Sequence, residues 1–443
     1  TEHFLLLKQL INVKEKIAII GSGISGLTAS YFLSSKYEVH LFEKNKRLGG
    51  HTRTLNVKEN TKYLSIDTGF IVFNENNYPD LTKFLKKLKV HYSASDMSFS
   101  FSNENPLIEY CGKNLFSLFA NFRNFFSFQF YKMIFEIKRL YNLCQNLDAN
   151  TIDKDKTLNK FLNENNFSSY LKEYHILPMI SSIWSSDISD VDKFPLITFV
   201  NFFQNHSLFK LKKRPKWKFI TGGSNEYIKK IINKNLFNYK TNFIIEKIYR
   251  DKKSIKIHNK DGEIFEFDKI IFAVHADQVL DLLEKPSKEE MDIFSKFKYT
   301  INSAFLHSDP TLMPKSKKAW ASWNFLKRTS SNKFTLTYWM NLLQNLSTNK
   351  NYFVTINPYK KPQNIINETV FEHPIYSTET LKAQKEVMKI QGLNSTYYCG
   401  AYLGYGFHED GIQSSAHISK LLGCNLPWQR DYKFYNRLQI KFE

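Results

Sequence analysis

A glycine-rich segment near the start of the chain carries the first residues whose types and spacing could bind a phosphate. Gly21, Gly23 and Gly26 form the pattern G-x-G-x-x-G directly after the apolar run 17–20. Gly21 permits a tight turn, Gly23 leaves space for a phosphate, and Gly26 lets the following helix pack on the strand. The helix N-terminus would offer free N–H groups to the anion, although a glycine-rich turn without a ligand is the alternative. The predicted contacts to a dinucleotide pyrophosphate are Gly21, Ser22, Gly23, Ile24, Ser25 and Gly26.

A carboxylate follows the second apolar strand, which is predicted over residues 38–42. Glu43 stands at the carboxyl end of that strand, where an acidic side chain can accept hydrogen bonds from ribose hydroxyls. A solvated charge at a strand end is the alternative interpretation. The segment 47–52 then adds a second glycine pair, Gly49 and Gly50, with cations beside it. Both features favour a dinucleotide site.

The length and composition set limits on the elements that hold this site. The 443 residues exceed one ordinary core, so we expect two domains that share an interface. The net charge of +20 comes mostly from scattered lysines, which favours an effect of genome base composition over a dedicated polyanion site. A positive surface would also favour anionic lipid headgroups. The sequence has no basic tail, zinc-ligand spacing or RNA-binding motif, so nucleic acid is not a predicted partner.

The cysteines and the apolar runs indicate the compartment. The four cysteines are far apart and form no C-x-x-C pair, so neither a disulfide framework nor a metal site is predicted. The apolar residues 4–7 lack the basic segment and the cleavage site of a signal peptide. No uncharged apolar run approaches membrane-spanning length. We therefore expect a cytoplasmic protein, or one bound peripherally at the inner face of the membrane.

The region 114–147 is rich in phenylalanine at helical spacing. Core packing of a helical cap domain is the plain interpretation. An apolar substrate channel, or a surface that enters a membrane interface, is the alternative. Strands return later in the chain, with a hairpin over 254–267, a buried strand over 270–274, and a final strand and helix over 396–422.

Nearly the whole chain resembles the flavin-containing amine-oxidase-like proteins, within the superfamily of monoamine oxidase, protoporphyrinogen oxidase and phytoene desaturase. The opening of a strand, G-x-G-x-x-G, a helix, a strand, Glu and R-x-G-G resembles the FAD-binding opening of these proteins and favours FAD over NAD. The segments that carry the resemblance are 21–26, 47–52, 183–185, 217–227, 275–278, 338–341, 357–358, 373–374 and 405–411.

The resemblance implies an α/β fold in which a glutathione-reductase-type, FAD-binding Rossmann domain carries an inserted α+β substrate domain. The implied FAD-binding domain is discontinuous and consists of 13–75, 216–290 and 391–425. The implied substrate domain, a helical cap plus a sheet, consists of 76–215 and 291–390. Residues 426–443 are expected to form a C-terminal tail.

The resemblance also implies how FAD is held. The backbone near Asp410, Gly411 and Ile412 is expected at the O2 and N1 edge of the flavin, where the helix dipole favours negative charge. No match to the cysteine of covalent flavoproteins is found, so non-covalent FAD is expected. The further expected cofactor contacts are Glu43, Lys44, Arg47, Gly49, Gly50, His51, Thr52, Ile245, Ala273, Gly400 and Ala401.

Four side chains are candidates for an acid or base beside the flavin. His408 and Glu409 lie at the start of the flavin helix, and Tyr338 and His373 lie in the substrate region. His408 and Glu409 could instead only fix the turn, and Tyr338 could be a packed strand aromatic. The remaining histidines that drew attention, His206 and His275, are interpreted as structural.

The predicted function is that of an FAD-dependent oxidoreductase with a long, apolar substrate. The paired-tyrosine cage of amine oxidases is not evident, and Phe407 occupies part of that region. Relatives often occur beside methyltransferases similar to cyclopropane-fatty-acid synthase, which suggests an unsaturated or methylated acyl chain of a phospholipid and a methyltransferase partner. Desaturation by hydride transfer to flavin is the leading reaction. An amine oxidase, an acyl double-bond isomerase and a non-catalytic flavin-binding partner are the alternatives.

Overall fold

A computed structural model describes residues 14–185, 193–210, 214–251, 254–328, 334–429 and 437. The apolar residues 4–7 and most of the expected tail lie outside this part of the chain. The strands are β1 (Lys16–Ile20), β2 (Glu38–Phe42), β3 (Thr54–Glu59), β4 (Lys62–Asp67), β5 (Val72–Asn74), β6 (Tyr92–Ala94), β7 (Phe99–Asn103), β8 (Ile108–Cys111), β9 (Trp217–Ile220), β10 (Asn238–Lys240), β11 (Ile245–Arg250), β12 (Ile255–Asn259), β13 (Ile264–Phe267), β14 (Lys269–Phe272), β15 (Lys298–His307), β16 (Trp323–Lys327), β17 (Thr335–Trp339), β18 (Phe353–Ile356), β19 (Ile365–Ile375) and β20 (Thr396–Tyr398).

Helices connect and cover these strands. A π-helical turn, Lys172–Ile176, joins the helices Ser169–Leu171 and Leu177–Trp184. The helices are α1 (Ile24–Leu33), α2 (Pro79–Lys87), α3 (Leu115–Leu118), α4 (Phe128–Gln145), α5 (Leu158–Glu164), α6 (Ser169–Leu171), α7 (Leu177–Trp184), α8 (Leu196–Asn205), α9 (Asn225–Ile232), α10 (Val279–Leu282), α11 (Lys288–Phe294), α12 (Met340–Leu343), α13 (Thr378–Lys389) and α14 (His408–Leu421).

A parallel sheet in the order β10-β2-β1-β14-β20 forms the centre of the first domain. Ile19 of β1 pairs with Leu41 of β2 on one side and with Ile271 of β14 on the other, and all three are fully buried. Such short apolar runs are typical of strands covered on both faces. Helices α1 and α14 pack together on one face. The strands and the helix predicted around the glycine turn are therefore present.

A second sheet, in the order β19-β15-β18-β17-β16-β7-β8, belongs to the substrate domain. The helices from α4 to α8 cover it and share its core, in which Leu171, Ile180, Phe199 and Phe203 are fully buried. A smaller antiparallel sheet, β11-β12-β13, contains the predicted hairpin. The core of the substrate domain is distinct from the cores that pack on the two faces of the parallel sheet.

The structure moves three of the expected domain boundaries. Helix α2, expected in the substrate domain, buries Leu81 and Phe84 in the core of the parallel sheet. Phe294 of α11 and Val387 of α13 pack on the opposite face of the same sheet. The first domain therefore extends beyond 75 and 290 and begins again before 391, because these helices cover faces of the sheet that would otherwise be exposed.

The beginning of the expected tail is also part of the first domain. The ring of Trp428 lies 5.5 Å from that of Phe32 in α1, and its Nε1 donates to Asp80 Oδ1 at 2.8 Å. Among the described helices, none combines the length and the apolar composition that crossing a bilayer requires.

Candidate active site at the carboxyl edge of the parallel sheet

Two helices begin side by side at the carboxyl edge of the parallel sheet. Helix α1 starts after Gly23 and α14 after Phe407. Gly411 permits their close approach, since a Cβ there would lie 2.6 Å from Ile24 Cγ2. One turn further along, the hydroxyls of Thr28 and Ser415 are 2.7 Å apart. The positive ends of two helix dipoles thus meet at one place, which suits an anionic ligand.

The three glycines of the first turn meet different surroundings. Gly21 has a φ of +99°, and a Cβ on Gly26 would lie 1.9 Å from the carbonyl oxygen of Gly21. The fold itself therefore needs glycine at both positions. A Cβ on Gly23 would meet no atom within 4 Å. Gly23 thus borders open space at the helix start, as a phosphate-binding glycine should.

Glu43 is buried at the end of β2 and faces this turn. Its Oε2 accepts hydrogen bonds from Ser22 N at 3.0 Å and Ser22 Oγ at 2.6 Å, and its Oε1 accepts from Asn45 N at 2.9 Å. The N–H of Phe243 donates to Glu43 O at 2.9 Å, which places Ile245 two residues from this point. The carboxylate therefore lies where the ribose of a dinucleotide would be recognised, and its bonds to Ser22 and Asn45 hold it there.

The loop 47–52 covers the glycine turn. Arg47 donates from Nη1 to Thr52 O at 2.9 Å and from Nη2 to Gly50 O at 2.7 Å, so it shapes the loop from within. Gly49 N donates to Ser22 O at 3.0 Å, and a Cβ on Gly50 would lie 3.0 Å from Gly23 Cα. Lys44 is exposed just before this loop.

Two further strand ends complete the edge. The N–H of Ala273, after β14, donates to Ile20 O at 2.8 Å, which keeps it beside the glycine turn. After β20, Gly400 N donates to Ser414 Oγ of α14 at 3.0 Å, and Ala401 begins a short 3₁₀ turn. The expected contact residues of β14 and β20 therefore lie along the edge where α14 begins.

His408 connects the start of α14 to the covering loop. Its Nε2 lies 2.9 Å from Thr52 Oγ1, and its ring stacks on Phe70 with 3.6 Å between centroids. Burial lowers the pKa of His408 to about 3, so the imidazole is neutral. The contacts favour the alternative that His408 fixes the turn and do not show an acid or base facing a substrate.

Glu409 does not face the site, which corrects its prediction as a catalytic group. Its carboxylate accepts hydrogen bonds from Asp80 N at 3.1 Å and Leu81 N at 3.0 Å at the N-terminus of α2, and from Gln413 Nε2 at 3.0 Å. Burial, together with the carboxylate of Asp80, raises the pKa of Glu409. Glu409 therefore stabilises α2, because a helix start needs acceptors for its free N–H groups.

Among the residues expected at the flavin edge, Asp410, Gly411 and Ile412, only Asp410 has a backbone N–H without an intrahelical partner. Gly411 N already donates to Phe407 O at 3.1 Å, and Ile412 is further inside the helical ladder. The Asp410 carboxylate accepts from Phe407 N at 2.8 Å and lies 3.2 Å from Arg437 Nε. The amides without an intrahelical partner are those at the helix start, from His408 to Asp410.

Three imidazoles from three different elements form a cluster on the substrate side. The ring of His51 lies 5.3 Å from that of His373 and 5.8 Å from that of His275. Burial lowers the pKa of His373 to about 4, with His275 nearby adding to the effect, and burial also lowers the pKa of His51 well below its usual value. His51 Nε2 is buried and has no hydrogen-bond partner among the described residues.

The hydrogen bonds of His373 fix its tautomer. Asn302 Oδ1 accepts from Asn357 Nδ2 at 2.6 Å, so Asn302 Nδ2 is the atom that lies 2.8 Å from His373 Nδ1. The neutral imidazole accepts at Nδ1 and carries its proton on Nε2. His373 is therefore a hydrogen-bond donor at Nε2.

The sequence analysis interpreted His275 as structural and did not single out Glu372. His275 Nδ1 lies 3.1 Å from Glu372 Oε2, and its ring stacks on Tyr299 at 4.6 Å. A usable signal was present, because His275 follows β14 by three residues at the edge where ligands bind in parallel sheets. Glu372 is next to His373 in the sequence, but only the pairing of β15 with β19 brings it to His275.

Tyr338 is placed in the core of the substrate domain. It lies in β17 and packs perpendicular to Trp323 at 4.8 Å, and burial raises its pKa. The structure thus favours the packed strand aromatic over the catalytic role.

Aromatic rings form a wall beside the start of α14. Phe202 of α8 stacks on Phe407 at 5.2 Å, and the ring of Trp184 lies 4.7 Å from that of Phe202. Trp184 Nε1 donates to Tyr405 O at 3.1 Å, and the turn at Gly406 is so close to Tyr376 that a Cβ would lie 2.8 Å from its hydroxyl. This aromatic wall is apolar and connects the substrate core to the turn before α14.

The glycine turn, Glu43 and the two helix starts fit a dinucleotide. Gly23 borders open space where a diphosphate would contact N–H groups, and the Glu43 carboxylate lies at the same turn through its bonds to Ser22. The unpartnered Nε2 of His51 adds a buried polar atom on the substrate side of the covering loop. The residues present therefore suit FAD.

Comparison with known proteins identifies the fold. Residues 19–88 match the model of the NAD(P)-binding Rossmann-like domain. A CLA-producing fatty acid isomerase from P. acnes superposes with a TM-score of 0.66 at 15% identity, covering 92% of this chain and 98% of that one. Cyclohexylamine oxidase from Brevibacterium oxydans IH-35A superposes with a TM-score of 0.65 at 12% identity, covering 93% and 100%. This chain has the amine-oxidase fold.

The expected fold class is thereby confirmed. Putrescine oxidase bound to putrescine gives a TM-score of 0.64 at 10% identity, with 93% of this chain and 99% of that chain covered. The amine-oxidase fold thus accounts for both domains, and the resemblance seen in the sequence holds at the level of the fold. No curated protein shows significant sequence similarity to this chain.

Proposed function

We propose that this protein is an FAD-dependent oxidoreductase that acts on a fatty acyl chain. The observation that carries the proposal is the apolar aromatic wall on the substrate-domain side of the turn before α14. The aromatic wall of Trp184, Phe202 and Phe407 lies there, and the imidazoles of His373 and His408 are neutral. An acyl chain loses no hydrogen bonds when it enters such surroundings and gains apolar contact.

The chain's own residues would hold the cofactor through backbone and one carboxylate. The turn at Gly23 and the start of α1 would bind the diphosphate, and Glu43 would bind the ribose of the adenosine half. The free amides at the start of α14 would hold the flavin edge that gains negative charge on reduction. Bound FAD would supply the acceptor for a hydride removed from a C–H bond of the substrate.

We propose desaturation as the reaction, in which two hydrogens leave adjacent carbons of the acyl chain. One leaves as a hydride to the cofactor and the other as a proton to solvent, so atoms and electrons balance in this half-reaction. His373 would position the substrate, since its Nε2–H is a donor beside His51. A second candidate is double-bond isomerisation, which the similarity to the P. acnes fatty acid isomerase in both domains favours.

Anaerobic absorbance spectroscopy tests the proposal. The purified protein should be yellow, and adding phospholipids with unsaturated or methylated acyl chains should bleach the flavin band. Cyclohexylamine and putrescine serve as matched controls, because bleaching by amines alone would contradict an acyl substrate. A shifted double bond in the recovered lipid, with no lasting bleaching, would identify the isomerase.

Two other results would overturn the proposal. A colourless protein that takes up no added FAD would remove the cofactor assignment. A yellow protein that neither bleaches nor alters any acyl lipid, but forms a stable complex with a lipid methyltransferase, would support the non-catalytic alternative. The methyltransferase is proposed here only as the partner of that alternative.

A further inference from the structure

Seven large apolar side chains stand exposed within a short stretch of the substrate domain. Their exposed fractions run from 53% for Phe125 to 86% for Phe116. Such a concentration marks an interaction surface, because soluble surfaces rarely expose contiguous aromatic groups. We call these residues the aromatic patch: Leu115, Phe116, Phe122, Phe125, Phe126, Phe128 and Phe135.

The aromatic patch is held in place from below. Phe130 of α4 is fully buried, and Phe119 contacts it with 5.8 Å between ring centroids. Asn124, in the 3₁₀ turn Phe122–Phe126, is buried and donates from Nδ2 to Glu109 O at 2.9 Å. These anchors fix the backbone and leave the patch side chains outside the core. Their exposure is therefore a property of the fold and not of a frayed end.

The exposed rings pack against one another on the outside. Phe126 makes edge-to-face contacts with Phe122 at 5.1 Å and with Phe125 at 5.4 Å. Phe128 and Phe135 follow along the same exposed side of α4 and border a cavity of about 260 Å³. The other residues that line the cavity are Tyr131, Lys132, Glu136 and Arg139.

The segment that carries the aromatic patch is basic, and one of its cations, Lys113, pairs with Asp96 at 3.4 Å. Residues 113–139 contain five cationic side chains and a single acid, Glu136. Glu136 is buried, and its Oε1 accepts from Ser168 N at 3.2 Å, so its charge is withdrawn from the surface. The five cations of the segment are Lys113, Arg123, Lys132, Lys138 and Arg139.

We propose that the aromatic patch docks onto a bilayer that contains anionic phospholipid. The exposed phenylalanines would enter the boundary between headgroups and acyl chains, and the cations beside them would contact anionic headgroups. Charge decides against a second copy of this chain, because a two-fold contact would bring the same cations together. The proposal does not depend on the acyl substrate, although it would bring the enzyme to a source of one.

Vesicle flotation tests the docking with the full-length protein. We expect binding to vesicles of phosphatidylcholine mixed with phosphatidylglycerol, weaker binding to phosphatidylcholine alone, and loss of the difference at high salt. The triple variant Phe116→Ser/Phe122→Ser/Phe126→Ser should bind at least about tenfold more weakly. The variant Arg123→Glu/Lys132→Glu should lose the preference for the anionic lipid.

A matched control removes exposed apolar groups elsewhere. Tyr63 in β4 is 67% exposed and Ile264 in β13 is 60% exposed, and neither belongs to the aromatic patch. The variant Tyr63→Ser/Ile264→Ser should therefore bind vesicles as the unchanged protein does. The absorbance spectrum of the flavin in each variant shows whether the first domain is folded, and it requires no turnover assay.

Two outcomes would overturn the docking. One is equal vesicle binding by the unchanged protein and the phenylalanine variant. The other is absence of vesicle binding together with a dimer, measured by light scattering, that the phenylalanine variant abolishes, since the patch would then join two copies. Failure of acyl lipids to bleach the flavin would count against the proposed function alone.

Discussion

The two helix starts at the carboxyl edge are built in opposite ways. Helix α1 begins with bare backbone, since Gly23 has no protein atom within 4 Å of a would-be Cβ. Helix α14 begins with three buried polar side chains, of which His408 and Glu409 are bonded to distant parts of the chain and Asp410 to Phe407 N of its own turn. The first start therefore leaves room for a ligand, whereas the second also joins the covering loop, helix α2 and its own turn. The start of α1 can thus serve ligand binding alone, whereas the start of α14 can both bind a ligand and hold neighbouring segments in place.

The largest effect on stability should come from Gly26→Ala. This substitution places a side chain where α1 packs on the glycine turn, away from the space left for a ligand. The new Cβ would lie 1.9 Å from Gly21 O, so backbone must move. We expect a loss of about 3 kcal/mol in the free energy of unfolding, measured in urea. Unchanged stability would mean that the close packing of α1 on the turn is wrong.

The same substitution three residues earlier gives a different result if Gly23 faces the ligand. Gly23→Ala meets no protein atom, so the free energy of unfolding of the cofactor-free protein should stay within about 0.5 kcal/mol. FAD affinity should fall by about tenfold or more, because the methyl group takes the space of the diphosphate. Titration of apoprotein with FAD measures this change. Full retention of FAD would break the contrast between the two glycines.

At the start of α14, Glu409→Ala tests whether the Glu409 carboxylate stabilises α2 or takes part in catalysis. The change removes the acceptor of Asp80 N and Leu81 N, and we expect a loss of about 1–2 kcal/mol in the free energy of unfolding. Glu409→Gln keeps one acceptor oxygen and serves as the matched control. A large loss of turnover in the Gln variant at unchanged stability would restore the catalytic role.

The pH dependence of stability gives a separate measure of Glu409. Its raised pKa means that the folded protein keeps a proton that the unfolded chain releases, so stability should fall as pH rises from about 4.5 to about 8. Glu409→Gln should flatten this part of the profile. Parallel profiles for the two proteins would contradict the raised pKa.

His373 should affect turnover and leave the cofactor in place. We expect His373→Ala to keep its FAD spectrum and to lose about tenfold in the rate of flavin reduction by an acyl lipid, since a donor at Nε2 is lost. Burial lowers the pKa of His373 to about 4, so this imidazole stays neutral between pH 5 and 8. The pH profile of the rate of flavin reduction by the unchanged enzyme should therefore show no acid limb from His373 in that range. A limb near pH 6 would mean that the imidazole is charged in the site.

The smallest effect is expected at Tyr338, in the core of the substrate domain. Tyr338→Phe keeps the packing against Trp323, so both the turnover and the free energy of unfolding should change little. A fall of more than about tenfold in the rate of flavin reduction would return Tyr338 to the active site.

The contrast between the helix starts also explains what the sequence could predict. The sequence could predict the roles of Gly21, Gly23 and Gly26, because those roles depend on the absence of a side chain, which the residue type itself states. Glu43 was readable because it follows a buried strand directly. The parallel sheet, the hairpin and the final helix followed from the same local patterns.

The roles of polar side chains were less accessible, because they depend on partners that are distant in sequence. Glu409 is 329 positions from Asp80, and no local pattern indicates that its carboxylate meets the start of α2. His275 joins His51 and His373 only when β14, the covering loop and β19 are brought together. The aromatic patch shows the same limit, since helical spacing of phenylalanines does not tell buried faces from exposed ones.

The covering loop has a kinetic consequence. Gly50 lies directly against Gly23, and Arg47 keeps the loop in shape through the carbonyl oxygens of Gly50 and Thr52. The N–H of Gly49 donates to Ser22 O and joins the loop to the glycine turn. A nucleotide bound under this loop would therefore leave when the loop lifts as one unit. We expect the rate of that opening to set the residence time of FAD, and the protein to carry its FAD through repeated dilution on a column.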